Sequence, residues 1–340
     1  MATAFANDQP AGLDNHVKNV AIVGAGGRSG SVIADALIKA NKHRVTAITR
    51  SGSTNTMPSG LHAVQRTDYD DRSSLVKALQ GQEALIITMN VTAPPESQFK
   101  LIDAAVEAGV KWIMPNEWGT DQSKVEASKD TFLFERLLSV RQHIEKVGGE
   151  KTAWVGLCCG AWYEFSLAGT EARYGFDFER KTLTLYDDGN TKINTSTFPQ
   201  VGRAVANLLS LKAVQDKKDD SSPCLSQYKN RSAHISSFFV SQRNMLDSVL
   251  KVTGDNERDW TITHEDSVER YSRGRSLFLE EGKMVGFGIL LYARLFYKDG
   301  AGDFNNKLDN EILGLPEEDF DAATKVGIEM ALAGQTNMVH

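Results

Sequence analysis

The stretch VAIVGAGGRSGSVIADAL, residues 20–37, constrains the fold more than any other part of this chain. Its β-branched apolar run predicts a buried strand, and its alanine-rich end has the apolar spacing of a helix. The glycines between the two permit a tight turn and a close approach of the helix to the strand. The stretch therefore predicts a strand, a glycine-rich turn and a helix in direct succession, which is how many α/β folds begin.

Apolar runs continue to alternate with helical patterns as far as about residue 160. Further strands are predicted at HRVTAITR, LHAVQRTD, ALIITMN, KWIMPN and AWVGLCC, with helices at DRSSLVKALQG, ESQFKLIDAAVEAG and from Asp130 to Val147. This alternation is typical of βαβ units, whose strands form a parallel sheet.

The pattern changes after residue 160. LTLYDDGNTKINTSTF predicts a β-hairpin that turns at Asp188 and Gly189. PQVGRAVANLLS and SQRNMLDSVLKVTG predict helices, AHISSFFV predicts a strand, and GFGILLYARLFYKDG predicts a helix of the core or of a lid. We expect an α/β protein with a Rossmann-like doubly wound parallel sheet in residues 17–160. Residues 161–340 should form a smaller α+β substrate-binding domain, with some segments returning to the sheet.

Composition narrows the class of partner. The 340 residues are 41% hydrophobic and 24% charged, with a net charge of −6, which argues against a broad nucleic-acid-binding face. No apolar run approaches the ~20 residues of a membrane helix, and the start lacks a signal-peptide pattern. The three cysteines have neither disulfide nor zinc spacing. We expect a cytoplasmic protein with reduced thiols, no metal and a small-molecule partner; the sequence leaves a homodimer open.

The glycine spacing predicts a dinucleotide site. The segment GAGGRSG fits GxxGxxG through Gly24, Gly27 and Gly30, whereas GxGxxG would need glycine at Ser29. In either form the turn lets the backbone approach a pyrophosphate, which the N-terminus of the following helix attracts. A purely structural glycine turn is the alternative. The residues expected to contact the cofactor here are Gly24, Gly26, Gly27, Arg28, Ser29 and Gly30.

The end of the second strand indicates which dinucleotide binds. An NAD site places an acidic residue there to bind the ribose 2′-hydroxyl. This strand ends in Arg50 and Ser51, and a guanidinium matches a phosphate. We therefore predict NADP(H), the alternative being a solvated arginine. Asp68, after the third strand, is placed to meet the adenine side.

Together with QFKLIDAAVEAGVKWIMPNEWGTD and GFDFERKTLTLYDDG, these residues resemble the isoflavone reductase-like and NmrA-like proteins, a family of atypical short-chain dehydrogenases. PNEWG at 115–119 is similar to the family motif PSEFG. The fungal branch is the most similar in pattern. The resemblance implies an NADPH-binding Rossmann domain with a small second domain, and reduction of aromatic or polyketide-derived compounds in secondary metabolism.

The chain departs from this family at one position. Family reductases carry a proton-transferring lysine in the helix after PSEFG, and alignment of FERLLSVRQ places Leu137 there. Lys124 and Lys129 lie upstream at the wrong helical offset, and the YxxxK pair of short-chain dehydrogenases is absent. Proton transfer must come from another group or from water, or is not needed.

The remaining candidates lie where strands end, because ligands of open α/β sheets bind beyond the carboxyl ends of the strands. Trp118, Trp162 and Tyr163 predict a flat apolar wall for an aromatic substrate, and the Tyr163 hydroxyl is the predicted catalytic proton donor. Packing between domains is the alternative for each aromatic. Cys158 and Cys159 are interpreted as core residues. The residues predicted to contact the cofactor at these strand ends are Thr88, Met89, Asn90 and Asn116.

Two classes of function fit these residues. The first is an NADPH-dependent oxidoreductase that reduces an aromatic or polyketide-like carbonyl or enone. The second is an NmrA-type redox-sensing regulator that binds NADP without turnover, which Leu137 favours. A non-redox isomerase or cyclase on the same fold is a related alternative, and the fold by itself does not choose among them.

Overall fold

The computed structural model describes residues 5–9, 14–90 and 93–335. It contains short and long strands in chain order: β1 (Asn19–Val23), β2 (Arg44–Arg50), β3 (Ala63–Thr67), β4 (Ala84–Ile87), β5 (Trp112–Met114), β6 (Trp118–Gly119), β7 (Ala153–Cys158), β8 (Ala161–Trp162), β9 (Phe176–Asp177), β10 (Thr182–Tyr186), β11 (Ile193–Ser196), β12 (Arg231–His234), β13 (Phe238–Val240) and β14 (Thr261–Glu265).

The α-helices follow the same order along the chain. They are α1 (Arg28–Ala40), α2 (Arg72–Leu79), α3 (Pro95–Glu107), α4 (Val125–Asp130), α5 (Phe134–Gly148), α6 (Tyr163–Leu167), α7 (Phe198–Leu209), α8 (Gln242–Thr253), α9 (Ser267–Leu279), α10 (Met284–Leu295) and α11 (Phe320–Leu332).

The central sheet has eight parallel strands in the order β12-β7-β5-β4-β1-β2-β3, with the short β6 also pairing with β7. Strand β4 is buried along its whole length, as expected for a parallel sheet covered on both faces. Helices α1 and α7 pack on one face, and α2, α3 and α5 on the other. The predicted Rossmann-like doubly wound sheet is confirmed. Strand β1 has β2 on one side and β4 on the other, so the strand order reverses there, which is where such sheets bind ligands.

A second apolar core lies beyond the sheet. It is built by residues between Ala161 and Ile328, with many aromatic rings, and includes two three-stranded sheets, β14-β10-β9 and β13-β11-β8. We call this part the second lobe. Helix α7 and strand β12, although they follow residue 160, belong to the core of the large sheet. The domain division at residue 160 stays a prediction, with these two elements returning to the first lobe.

Two details of the predicted second lobe are wrong. Strands β10 and β11 do not form a hairpin at Asp188 and Gly189: β10 pairs with β9 and β14, while β11 pairs with β8 and β13. The chain turns there, since the amide of Gly189 donates to the carbonyl of Tyr186, but the two strands separate into different sheets. The predicted single strand AHISSFFV is likewise split between β12 and β13.

The predicted helix from Asp130 to Val147 is present as α5, but it begins four residues later, at Phe134. Helix α4 ends at Asp130, and Phe132 then takes a left-handed conformation with φ of 60° before α5 begins. Such a conformation is strained for an aromatic residue, and it redirects the chain between the two helices. None of the helices in the described part of the chain is long and apolar enough to span a bilayer.

Candidate functional site

Two glycines of the turn between β1 and α1 are required by packing. Gly24 has φ of 84°, and a Cβ there would lie 1.8 Å from the carbonyl oxygen of Thr88. A Cβ on Gly30 would lie 2.0 Å from the carbonyl oxygen of Gly24. Any side chain at either position would displace backbone, so these glycines hold α1 tightly against the tips of β1 and β4.

Gly27 differs from them because it is not constrained by packing. It is the N-cap of α1, its φ is −88°, and a Cβ there would meet only the Gly24 carbonyl, at 3.2 Å. No side chain caps this helix, so its first N–H groups point to the edge of the sheet. This is the arrangement that binds a phosphate. Ser29 is half-buried in the first turn of α1.

The loop after β2 packs against this turn. A Cβ on Gly26 would lie 2.8 Å from both the Asn55 Cβ and the Thr56 carbonyl oxygen. The loop is tied back to β3 because the Arg66 guanidinium donates to the Ser53 carbonyl oxygen at 2.9 Å. The glycine turn and the β2–β3 loop therefore form adjacent walls of one site.

Arg50 and Ser51 are exposed at the tip of β2, beside the start of that loop. Within the described residues, neither Arg50 nor Arg66 forms an ion pair with a carboxylate. Arg50 lies near Tyr69, and burial raises the pKa of Tyr69 to about 12 although the Arg50 charge opposes that shift. Asp68 is exposed after β3 and accepts a hydrogen bond from the Asp70 amide. Two guanidinium groups without counter-ions thus flank the tip where an NAD site would place a carboxylate.

The tips of β4 and β5 are locked together by side-chain hydrogen bonds to backbone. The Thr88 hydroxyl donates to the Val23 carbonyl oxygen at 2.7 Å. The Asn116 side chain accepts from the Met89 amide at 3.1 Å and donates to the Met89 carbonyl at 3.0 Å. Asn90 follows, half-buried, at the end of this segment. The predicted strand-end residues therefore lie at one edge of the sheet, together with the glycine turn.

Trp118 and Trp162 meet at the same edge. The Trp118 indole donates to the Ile87 carbonyl oxygen at 2.9 Å, and the Trp162 indole donates to the Trp118 carbonyl oxygen at 3.1 Å. Both rings are half-buried, and Trp162 packs on Phe198 at 4.8 Å between ring centroids. The two indoles are held as a pair next to the tips of β4 and β5.

Tyr163 does not join them, which corrects the expectation that it completes the wall and donates a proton. Its side chain is fully buried in the second lobe, between the rings of Phe238 and Phe320. Its hydroxyl is hydrogen-bonded to Thr324 at 2.7 Å, and burial raises its pKa far above the ordinary value. The physical reason is local: Trp162 ends β8 and Tyr163 begins α6, so the change from strand to helix turns the tyrosine into the core.

Leu137 lies on α5 near the edge. Its helix runs from the carboxyl edge of the sheet back toward the start of β7, and Arg141, one turn further along, makes two hydrogen bonds of 2.9 and 2.8 Å with the carboxylate of Glu117. Residues four apart share a helix face, so Leu137 lies one turn before Arg141 on the same face of α5. Sequence reasoning missed this buried Glu117–Arg141 pair, although the glutamate is part of PNEWG.

A second group was also missed. The Lys307 ammonium and the His234 ring approach the carboxylate of the buried Asp121 at 2.7 and 3.3 Å. Although burial raises the pKa of Asp121, these two groups and the hydrogen bonds from Ser123 together hold it well below its ordinary value. No local pattern could have revealed it, since the partners are far apart in sequence. A cavity of about 380 Å³ opens nearby. It is lined by Lys124, Phe239, Asp303, Asn305 and Asn306.

The cysteines and acidic residues do not form a metal site in the described ranges. Cys158, Cys159 and Cys224 are free and buried, and burial raises the pKa of the Cys158 and Cys159 thiols. No group of three or more His, Cys, Asp or Glu side chains in residues 5–9, 14–90 and 93–335 is arranged to hold a metal ion.

Comparisons with known proteins agree with this architecture. Residues 16–172 match the NmrA-like family. The oxidoreductase aprR of Aspergillus flavus is 28% identical over 308 residues, covering 89% of this chain and 96% of the relative. The crystal structure of an isoflavone reductase superposes with a TM-score of 0.70 at 22% identity, over 92% of this chain and 99% of that one. The structure of AtPrR2 with NADP⁺ and (+)-pinoresinol superposes with a TM-score of 0.61 at 18% identity, over 94% and 99%. The resemblance carried by the glycine turn and PNEWG is thereby confirmed: residues 16–172 are similar to the NmrA-like family, and the chain has the fold of the isoflavone reductases.

Proposed function

We propose that this chain is an NADPH-dependent oxidoreductase that reduces an aromatic or polyketide-like carbonyl or enone. The observation that carries the proposal is the edge of the central sheet, where the glycine turn, two guanidinium groups without counter-ions and a pair of indoles adjoin. The Aspergillus relative is named an oxidoreductase, which supports the reaction class. The structure of AtPrR2 holds NADP⁺ and (+)-pinoresinol, which supports the choice of cofactor and of an aromatic substrate.

The residues present fit NADP(H). The open side of Gly27 and the uncapped start of α1 suit a pyrophosphate, and Arg28 adds a cation beside them. Arg50, Arg66 and the Ser51 hydroxyl suit a ribose 2′-phosphate. When bound, such a cofactor supplies a hydride. This chain contributes binding and orientation, with Trp118 and Trp162 presenting a flat surface that excludes water from one side of an aromatic ring.

The cofactor assignment is tested by removing the two arginines singly. Arg50→Ala should weaken NADPH binding by about 1.5–3 kcal/mol, the range for a hydrogen bond to a charged group, and Arg66→Ala should weaken it in the same direction. NADH binding should be nearly unchanged by both. Arg44→Ala is the matched control, because Arg44 is exposed at the opposite end of the same strand. Titration by quenching of tryptophan fluorescence measures all four proteins. Equal losses for NADPH and NADH would contradict 2′-phosphate recognition.

The second candidate is an NADP-binding regulator without turnover, favoured by Leu137. The two are separated by following NADPH absorbance with quinones, enones and aromatic ketones. Oxidation of NADPH by at least one class supports the reductase. Tight NADPH binding with no oxidation by any class would favour the regulator, or an isomerase or cyclase on this fold.

A further inference from the structure

We propose that Ser210 and His43 form a second reactive site, in which the histidine activates the serine to cleave small carboxylic esters that carry a negative charge. This activity goes beyond the proposed reductase function and is independent of it. His43 immediately precedes β2, and Ser210 is the C-cap of α7. The pair therefore lies at the amino end of the central sheet. Arg50, at the opposite end of the seven-residue β2, is roughly 20 Å away along the strand.

The hydrogen bonds of the His43 ring fix its tautomer. Its Nδ1 lies 2.8 Å from the carbonyl oxygen of Val17, an atom that can only accept, so Nδ1 carries a proton. Its Nε2 lies 3.1 Å from the hydroxyl oxygen of Ser210. In the neutral ring Nε2 is an acceptor, and the serine hydroxyl donates to it. The pair thus consists of a nucleophile within reach of a base, and the other nitrogen of that base is held by a third group.

The surroundings of the ring favour its neutral form. Burial lowers the pKa of His43, and the positive charge of Lys42 acts in the same direction. The carbonyl oxygens of Val17 and Ala206 and the charge of Glu83 oppose this shift without cancelling it. A neutral imidazole is the form that can take a proton from a hydroxyl. The imidazolium formed in that step lies at the C-terminal end of α7, where the helix dipole stabilises a cation.

A cavity of about 290 Å³ is lined by both members of the pair. Asp14, Lys18 and Lys42 also line it. Lys18 forms an ion pair with Asp14, whereas Lys42 forms none with a carboxylate in the part of the chain that the structure describes. The cavity therefore carries an excess of positive charge. That charge favours a small substrate with a carboxylate, and it favours the oxyanion that forms when an ester is attacked.

The pair can cleave an ester in two steps. The Ser210 oxygen adds to the ester carbonyl carbon while its proton moves to Nε2 of His43. The bond from that carbon to the alcohol oxygen then breaks, and the same proton passes to the departing oxygen, which leaves an acyl group on Ser210. Water adds to the acyl carbon through the same proton transfers and releases the acid and free serine. One water is consumed per ester, and no oxidant or reductant is needed.

A fluorophosphonate reagent tests the nucleophile directly, because it bonds to activated serine oxygens and releases fluoride. In the wild-type protein, Ser210 should be labelled at least about 100-fold faster than Ser139, since a general base contributes roughly 10²–10⁴-fold. Ser139 is the matched control: it is exposed, and its hydroxyl donates to the Arg136 carbonyl oxygen instead of a histidine. Peptide mass spectrometry measures both rates. Equal rates, or no label on Ser210, would overturn the proposal.

The role of the base is tested with His43→Gln. Labelling of Ser210 should slow by about 100-fold or more, because an amide cannot take the serine proton. The circular dichroism spectrum shows whether the variant is folded. Undiminished labelling in a folded variant would contradict the assignment of His43. The comparison of Ser210 with Ser139 needs no variant, so it decides the proposal even where His43→Gln does not fold.

The substrate class is tested with 4-acetoxybenzoate and its methyl ester, which differ in one negative charge. The wild-type protein should hydrolyse both, and Ser210→Ala should reduce both rates to those without protein. Relative to the uncatalysed rates, kcat/KM should be about two- to fivefold higher for the anion, the range for an exposed ion pair, and Lys42→Met should remove this preference. Hydrolysis that persists in Ser210→Ala, or a preference for the methyl ester, would refute the proposed site. None of these measurements involves NADPH, so their failure would leave the proposed reductase function intact.

Discussion

At the scale of single residues, the glycines of the first turn divide into two groups by what a methyl would meet. Gly30→Ala should lower the free energy of unfolding by about 1–3 kcal/mol, because its Cβ would lie 2.0 Å from the Gly24 carbonyl oxygen. Gly27→Ala should fold normally, since its Cβ has only one contact, at 3.2 Å. It should nevertheless weaken NADPH binding about tenfold or more, because the methyl occupies the space needed by the pyrophosphate.

Two measurements separate the effect on stability from the effect on binding. Circular dichroism follows the thermal unfolding of each variant, and a titration with NADPH gives its affinity for the cofactor. If Gly27→Ala binds NADPH as tightly as the wild-type protein while keeping its melting temperature, the turn is structural and does not hold a dinucleotide. If Gly30→Ala is as stable as the wild type, the close contact with Gly24 is relieved at little cost.

Residue patterns placed part of the candidate site at the edge of the sheet and missed other contacts there for identifiable reasons. Gly24, Gly27, Arg50 and Asn116 could be placed because each ends a strand, or lies within four residues of the end of a strand, whose direction the pattern fixes. Tyr163 could not, because a strand of two residues gives too little alternation to show that the next residue already begins a helix. The remaining partners, such as Arg66 with Ser53 and Lys307 with Asp121, come together only through the tertiary fold.

At the scale of elements, the strands of the central sheet were predictable and the pairing in the second lobe was not. Strands β1, β2 and β4 are short apolar runs, and the helices between them require parallel crossovers, so local pattern and topology agree. Strands β10 and β11 alternate around a turn just as a hairpin would, but each buries its apolar face against partners far along the chain. Alternation shows which residues face a core, and it carries no information about which strand lies alongside.

The contact between α6 and α7 should make stability depend on pH. The Glu164 carboxylate accepts from the Phe198 amide at 3.2 and 3.1 Å, and burial, assisted by nearby Glu318, raises the pKa of Glu164 to about 7. A folded-state pKa above the ordinary value of 4.5 means that the native state binds the proton more tightly than the unfolded state. The contribution of Glu164 is therefore fully present below about pH 4.5 and is lost as pH rises to about 7, on the order of 3 kcal/mol in all.

Glu164→Gln should remove this part of the dependence, since the amide oxygen can still accept from Phe198 and has no proton to lose. The measurement is urea unfolding of both proteins at pH 5 and pH 8. The wild type should lose more stability than the variant between these values. An equal loss would show that Glu164 does not titrate in this range.

At the scale of the whole molecule, the second lobe is tied to the edge of the sheet by polar and ring contacts. Arg294 pairs with Asp130 at 2.7 Å, and the Tyr271 hydroxyl donates to the Asp130 carbonyl at 2.8 Å. Lys307 reaches Asp121 in the segment after β6. These contacts join the second lobe to the segment that follows the carboxyl ends of β5 and β6, at the edge where the candidate site lies.

One contact joins the second lobe directly to the glycine turn. The Arg28 guanidinium, in the first turn of α1, lies 4.9 Å from the centre of the Phe165 ring on α6, whose ring also carries Arg173 at 3.6 Å. A cation held over a ring is worth about 0.5–1 kcal/mol when exposed and more when desolvated, so Phe165 should fix Arg28 near the pyrophosphate position without touching the cofactor. Phe165→Leu should therefore weaken NADPH binding about 2- to 5-fold while keeping an apolar side chain.

A double-mutant cycle with Arg28→Met shows whether the effect passes through Arg28. If it does, Phe165→Leu should have little further effect on NADPH affinity in the Arg28→Met background, because the positioned cation is already gone. A loss transmitted through Arg173, or through general loosening of α6, would instead persist in that background. The four dissociation constants for NADPH, with melting temperatures as a check on folding, distinguish these outcomes. Equal effects of Phe165→Leu in both backgrounds would mean that the second lobe does not position the cofactor loop through this ring.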